Sequence, residues 1–172
     1  MSPEHPRWWD PDSDQPYKLP KDKKPRFRAD NLIEYTKTAA TALTMSPIVG
    51  WHYASLKRST PPDLSDFVGL GISPDHGDPA QVEDLLSELG VKKLLLRIPS
   101  WHVNHIEYYL HFADRFKNHD FLINILQSQQ SVHDIDTWQQ NVSDIVKAFQ
   151  GKTNEFQLGN AINRSKWGCQ HT

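Results

Sequence analysis

The sequence predicts an α/β protein in which parallel strands alternate with helices, and two features predict it. Apolar runs suited to buried strands begin near residues 67, 92, 121 and 155 of the 172-residue chain, and the segments between them place apolar residues at helical spacing. The strand starts lie about 25 to 34 residues apart, as a strand, a helical crossover and two loops require. The pattern therefore predicts a parallel (β/α)4 unit over residues 63–172.

The first strand–helix unit is the best marked. Phe67–Ile72 is a short apolar run, and Asp78 followed by Pro79 is typical of a helix N-cap and first helical residue. Gly90 ends the predicted helix. The helix carries its apolar residues at helical spacing, at Val82, Leu85, Leu86 and Leu89.

The remaining units follow the same pattern. Val91–Ile98 contains three consecutive leucines, which is typical of a strand buried on both faces, and a helix is predicted over residues 103–117. Phe121–Leu126 predicts a third strand, followed by a helix marked by apolar residues from Trp138 to Phe149. Glu155–Asn160 is the fourth predicted strand.

The segment before this unit has a different composition. Residues 1–30 are rich in proline and charge, so we expect an extended or disordered basic leader. A helix is predicted over residues 31–58, and its stretch from Thr38 to Leu56 lacks charged side chains over nearly the length that spans a bilayer. Hydroxyl groups and Pro47 dilute its apolar character. The alternative is an amphipathic helix that covers the floor of the (β/α)4 unit or lies on a membrane surface.

Charge and cysteine content exclude several classes of protein. The net charge is −2 and the isoelectric point about 6.5, so the basic surface of a nucleic-acid-binding protein is not expected. Cys169 is the single cysteine, which excludes an intrachain disulfide and a thiolate metal cage. No cleaved secretion signal is predicted at the N-terminus. We therefore expect a cytoplasmic protein, with the inner face of a membrane as the alternative.

Polar residues follow each predicted strand, where parallel α/β proteins place their functional groups. Ser73–His76 follows the first strand, Arg97–His102 lies at the end of the second, and Asn160–Arg164 follows the fourth. The candidate ligand-binding residues at this end are His76, Arg97, Trp101, Asn160 and Asn163.

Two of these segments resemble motifs of a known family. Leu96-Arg97-Ile98-Pro99 is similar to the second-strand motif, and Gln157–Asn163 to the fourth-strand motif, of retaining glycoside hydrolases with (β/α)8 barrels, the clan of cellulase-like and xylosidase-like enzymes. The resemblance covers roughly 100 residues. It implies that the (β/α)4 unit is the N-terminal half of a TIM-type barrel, preceded by an extended leader and one helix.

The resemblance also implies a loss of activity. In that family an asparagine at the end of the fourth strand bonds the sugar 2-hydroxyl, and the glutamate after it is the acid/base. Here Asn160 is followed by Ala161. Retaining hydrolysis needs two carboxylates about 5 Å apart, and the family's nucleophile lies on a seventh strand that this sequence does not contain. The resemblance therefore implies that this chain is catalytically inactive by itself and binds or formerly processed carbohydrate, without a cofactor. It would be either a degenerate hydrolase or the front part of a longer protein whose remaining strands carry the chemistry.

Each candidate residue also has a structural interpretation. Arg97 could pair with Asp75 or Glu155, Asn160 could satisfy the barrel rim, and Trp101 could pack. His102 and His105 lie three residues apart, but no further ligands stand at matching spacing, so no metal site is predicted.

A second functional hypothesis is a structural or interaction module. A half-barrel leaves its first and fourth strands as open edges, and proteins seldom leave such edges uncovered. The expected partners are a second copy of the chain or a missing C-terminal half-barrel.

Overall fold

The structure is a computed structural model, and it describes residues 3–18, 32–56, 68–161 and 164–167. Its elements, in chain order, are β1 (Trp9–Asp10), β2 (Gln15–Pro16), α1 (Leu32–Leu56), β3 (Gly69–Ile72), α2 (Pro79–Leu89), β4 (Lys93–Pro99), a 3-10 helix (Ser100–His105), α3 (Ile106–Arg115), β5 (Asp120–Leu126), α4 (Gln129–His133), α5 (Ile135–Ala148), β6 (Glu155–Leu158) and a second 3-10 helix (Ser165–Trp167).

The predicted parallel sheet is present. Strands β3 to β6 pair in parallel in the order β3-β4-β5-β6, with Gly71 beside Leu95, Leu95 beside Leu122, and Leu122 beside Glu155. Because the strand order follows the chain and crossovers of this kind are right-handed, the crossover helices lie on one face. A doubly wound sheet needs a reversal of strand order, and none occurs among the described strands.

The core lies between the sheet and these helices. Alternate residues of the two central strands point toward the helices and are at most 6% exposed, namely Leu94, Leu96, Ile98, Phe121, Ile123 and Ile125. They meet Leu86 of α2, Phe112 of α3 and Ile145 of α5. Burying such a side chain contributes about 1.5–3 kcal/mol. The β4–β5 pair is therefore the most firmly held part of the sheet.

The helix ends of the first unit are as predicted. The Asp78 side chain accepts a hydrogen bond from the Ala80 N–H at 3.0 Å, Pro79 is the first helical residue, and Gly90 closes α2 at a φ of +65°. The region after β5 differs from the prediction. Ser128 forms a capping box that opens the short helix α4, and Asp134 caps α5, which begins before Trp138.

Residues 3–18, which belong to the predicted extended or disordered leader, lie against the carboxyl end of the sheet. They form the hairpin β1–β2, in which Asp10 accepts a hydrogen bond from the Asp12 N–H at 3.2 Å. Trp9 is only 2% exposed and packs with Leu126 and Trp167. The burial of Trp9 holds the hairpin against the sheet, although proline and charged residues dominate the composition of this segment. The other residues of the predicted leader, 1–2 and 19–30, lie outside the described residues.

Helix α1 has no buried residue, and its apolar side chains are spread around its circumference. It therefore does not cover the floor of the sheet. Several hydroxyl groups bond back to carbonyls of the preceding turn, as Thr36 does to Leu32 and Ser46 to Ala42. Within the described part of the chain, no helix is both long and apolar enough to cross a bilayer. The location of α1 on a membrane surface stays a prediction.

Candidate functional site

The N-terminal hairpin lies against the carboxyl end of the sheet, where the candidate residues were predicted. Trp9 packs on Leu126 at the end of β5, and the Arg97 Nη1 donates a hydrogen bond to the Asp14 carbonyl at 3.3 Å. Lys166, near the end of the described chain, donates a hydrogen bond to the Gln15 side chain. The hairpin therefore contacts the ends of β4 and β5 and the second 3-10 helix.

Arg97 pairs with the hairpin, not with Asp75 or Glu155 as its structural interpretation suggested. Its Nη1 lies 3.9 Å from Asp14 Oδ2 in addition to the carbonyl contact. Burial raises the pKa of Asp14 above its usual value, and the guanidinium of Arg97 opposes that rise. Asp14 also adopts a φ of +53°, which is uncommon for a residue with a side chain. The carbonyl and the carboxylate of Asp14 in the hairpin loop thus both lie near the Arg97 guanidinium.

The loop after β3 is held by a second set of contacts. His5 Nε2 lies 3.2 Å from Asp75 Oδ2, and the Tyr108 hydroxyl donates to the Pro74 carbonyl at 2.9 Å. The candidate residue His76 has a buried Nε2 atom without a hydrogen-bond partner in the described structure. Residues 3–18 and α3 together therefore fix this loop.

His102 is a buried structural histidine. It is 2% exposed, and its Nε2 lies 3.2 Å from the Glu4 carbonyl, which can only accept. Nε2 therefore carries the proton, and Nδ1 accepts from the Tyr109 hydroxyl at 2.7 Å. Burial lowers the pKa of His102 to about 4 and raises that of Tyr109. Among the described residues, no group of three or more His, Cys, Asp or Glu side chains could hold a metal ion.

Four tryptophans form a cluster around the hairpin. The ring centroids of Trp9 and Trp101 are 5.0 Å apart, those of Trp8 and Trp101 4.8 Å, and those of Trp9 and Trp167 5.7 Å, all edge to face. Each such pair contributes about 0.5–1.5 kcal/mol beyond burial. Trp8 remains 40% exposed, whereas the Nε1 atoms of Trp9 and Trp101 are buried without a partner among the described residues. Trp101 therefore packs, and the indole of Trp8 beside it is accessible.

Gln127 positions the main chain at Asn160. The Asn160 N–H donates to Gln127 Oε1 at 2.7 Å, and Gln127 Nε2 donates to the Asn160 carbonyl at 2.8 Å. Ala161, next in the chain, has a φ of +44° and packs against the tryptophan cluster. The loop that carries Ala161 is thus held in a defined conformation, with no carboxylate at position 161.

A small polar cleft opens beside Trp101, between the first 3-10 helix and α5. Its volume is about 150 Å³. Apart from Trp101, the cleft is lined by residues with hydroxyl, amide or carboxylate groups, namely Ser100, Ser128, Gln130, Ser131, Asp134, Thr137 and Asn141. A tryptophan among several hydrogen-bonding residues suits a ligand that is apolar on its ring faces and polar at its edges.

The predicted site residues are not gathered in one pocket. Arg97 and His76 line a separate groove of about 530 Å³ along the edge of β3, whereas Trp101 lines the small cleft. Asn160 is half-buried at the end of β6, and Asn163 lies outside the described residues. Sequence reasoning missed His5 and Asp14; it placed Gln127 among the polar residues after the third strand but did not select it as a site residue. The adjacent pair Trp8-Trp9 was the signal that could have indicated a packed N-terminus.

Comparison with protein-family models, with curated proteins and with solved structures gives no match. The functional proposals therefore rest on the geometry of the strand ends and on the motifs in the sequence.

Proposed function

We propose that this protein binds carbohydrate on a glycoside hydrolase-like half-barrel and does not hydrolyse it. The sequential order of four parallel strands supports the half-barrel, because a (β/α)8 barrel arranges its strands in the same way. The motifs at Arg97 and Asn160 support the likeness to glycoside hydrolases.

The small cleft beside Trp101 is the observation that carries the proposal. A sugar ring offers C–H groups on its faces and hydroxyls at its edge, so an indole and several amide and hydroxyl groups recognise it together. The volume of about 150 Å³ is below the roughly 300–1,000 Å³ of sites for drug-sized ligands. The cleft therefore suits one sugar ring, with the rest of a longer glycan in solvent or against the exposed Trp8.

The absence of hydrolysis follows from the carboxylates at this end of the sheet. Ala161 can neither donate a proton nor attack the anomeric carbon. Asp14 is held by Arg97, and Asp75 by His5. Asp134, which lines the cleft, caps α5 by accepting a hydrogen bond from the Thr137 N–H at 3.2 Å. Each of these three carboxylates therefore has a structural partner, and none stands at the position of the missing glutamate.

Binding is tested by calorimetric titration of the full chain with a panel of soluble oligosaccharides. We expect at least one to bind, with affinity reduced at least tenfold in Trp101→Ala and in Asn141→Ala. Asn141→Ala keeps the tryptophan cluster intact, so its effect reports on the cleft and not on packing. Trp51→Ala is the control, because Trp51 lies on α1 and is 77% exposed. Unchanged affinity in both cleft variants, or no binding to the whole panel, contradicts the proposal.

A second candidate function, assembly through the sheet, has its own observation. The face of the sheet away from α2, α3 and α5 carries no helix in the described structure, and β3 and β6 each have a partner strand on one side only. Unpaired strand edges offer main-chain donors and acceptors that another strand can satisfy.

A further inference from the structure

We propose that two copies of this chain join edge to edge, with β6 of each copy added beside β3 of the other. This inference rests on the second candidate function, assembly through the sheet, and names the partner. It is independent of carbohydrate binding.

The surface concerned is the open face of the sheet, which we define by the residues that point away from the helices, Leu95, Arg97, Leu122, Asn124, Glu155 and Gln157. Residues 3–18 cover its carboxyl half, where Asn124 is buried. Its amino half stays open, as a cavity of about 810 Å³ lined by Lys93, Leu95, Leu122 and Glu155 among others. Among the described residues, the hairpin covers one half of this face, and none covers the other half or pairs with the outer edges of β3 and β6.

The edge of β3 offers a groove for an extended strand. The groove of about 530 Å³ is apolar on its helix side, where Leu70, Val82 and Leu86 line it, and it is bounded on the other side by the hairpin loop at Asp12, Ser13 and Asp14. Further apolar groups on the helix side are exposed, with Leu85 at 53% and Leu89 at 55%. A strand that extends the sheet here must carry apolar residues toward the helices.

The residues of β6 alternate in the way this groove requires. Phe156 points toward the helix-side core, and Leu158 lies on the same side, 58% exposed. Glu155 and Gln157 point to the open face. Placed beside β3 of a second copy, β6 would turn Leu158 toward the exposed leucines of α2 and its polar residues toward the open face.

Charge and side-chain size also match across this pairing. Gly69 and Gly71 leave β3 without side chains on the open face, and Lys93 lies directly beside Gly69 on β4. A Cβ at Gly69 would lie 3.3 Å from the Lys93 Cβ. The glycines therefore leave room for Glu155 of the second copy to approach Lys93, a pairing of opposite charges.

Symmetry allows both edges to pair at once. A twofold axis that places β6 beside β3 of the partner also places β3 beside the partner's β6, so no edge remains open. The two sheets together then contain eight parallel strands, the number at which a barrel interior is filled by side chains.

The test is the molar mass of the full chain in solution, measured by light scattering after size exclusion between about 1 and 100 µM. We expect twice the chain mass of 19.8 kDa. Leu158→Asp should give a folded monomer, while Leu56→Asp, on the exposed face of α1, should leave the dimer intact. Glu155→Lys and Lys93→Glu should each weaken dimerisation at least tenfold, and the double exchange should restore it. Circular dichroism checks that each variant is folded.

A monomer at every concentration, or a dimer unaffected by Leu158→Asp, overturns the pairing. A photo-crosslinking residue at position 158, used in a cell extract, shows whether the edge of β6 contacts a second copy of the chain or a different protein. Crosslinks to the β3 edge of a second copy support the proposal, and crosslinks only to a different protein overturn self-pairing while upholding assembly. Glycan titration of the same samples reports on carbohydrate binding independently.

Discussion

Replacing Trp9 with alanine tests whether the N-terminal hairpin is an integral part of the fold. Trp9 is 2% exposed, packs with Leu126, and contacts the rings of Trp101 and Trp167. Truncating a buried tryptophan typically costs about 3–5 kcal/mol, from lost burial and the cavity left behind. Because Trp9 lies in a small cluster separate from the main core, we expect the lower end of that range, about 3 kcal/mol.

The assay is urea unfolding followed by circular dichroism, with the melting temperature as a second readout. For a protein of this size, about 3 kcal/mol corresponds to a fall of roughly 6–12 °C. Trp51→Ala is the control, since Trp51 lies on α1 and is 77% exposed, and it should cost less than about 1 kcal/mol. Equal stability of Trp9→Ala and wild type would refute the packed hairpin, as would hydrogen exchange at the β1–β2 amides as fast as in an unfolded chain.

Three further predictions concern single groups. The pKa of His102 is lowered to about 4, whereas that of an unfolded histidine is about 6.5, so the unfolded chain binds this proton at a higher pH than the folded chain does. The free energy of unfolding should therefore fall as pH drops from about 6.5 through 4. In urea titrations at several pH values, His102→Gln should reduce the slope of the free energy of unfolding against pH. Gly90→Ala should cost about 1 kcal/mol because of the positive φ, whereas Gly71→Ala, with no atom within 4 Å of the added Cβ, should change stability little in the same assay. Gln127→Leu leaves the main-chain groups of Asn160 without their partner and should cost about 2–4 kcal/mol in urea unfolding, with faster hydrogen exchange at residues 159–161; unchanged exchange there would contradict the role assigned to Gln127.

The parallel sheet could be predicted from the sequence because its signals are local. The leucines of β4 and the apolar run of β5 mark buried strands, although Leu95 and Leu122 on the open face are only half-buried, and Asp78, Pro79 and Gly90 mark the ends of α2. These residues act through their own backbone or their immediate neighbours. Periodicity and cap chemistry are therefore sufficient to place them.

The arrangement of the site depends on contacts between distant parts of the chain. Arg97 meets Asp14 across 83 positions, and His102 meets Glu4 across 98, so no spacing in the sequence indicates either pair. The composition of residues 1–30 suggested disorder because proline and charge dominate its average. The packing of the hairpin depends on one buried residue, Trp9, which an average over the segment does not reveal. Likewise, nothing local showed that Arg97 and Trp101 would line different pockets.

Incubating the purified chain with a panel of aryl glycosides, while measuring both binding and release of the aryl group, tests the central claim most directly. The account predicts that at least one glycoside binds and that none is cleaved, because Ala161 supplies no carboxylate and Asp14 and Asp75 are held by Arg97 and His5. Release of the aryl group that is lost in Arg97→Ala would contradict it, since hydrolysis would then belong to this chain.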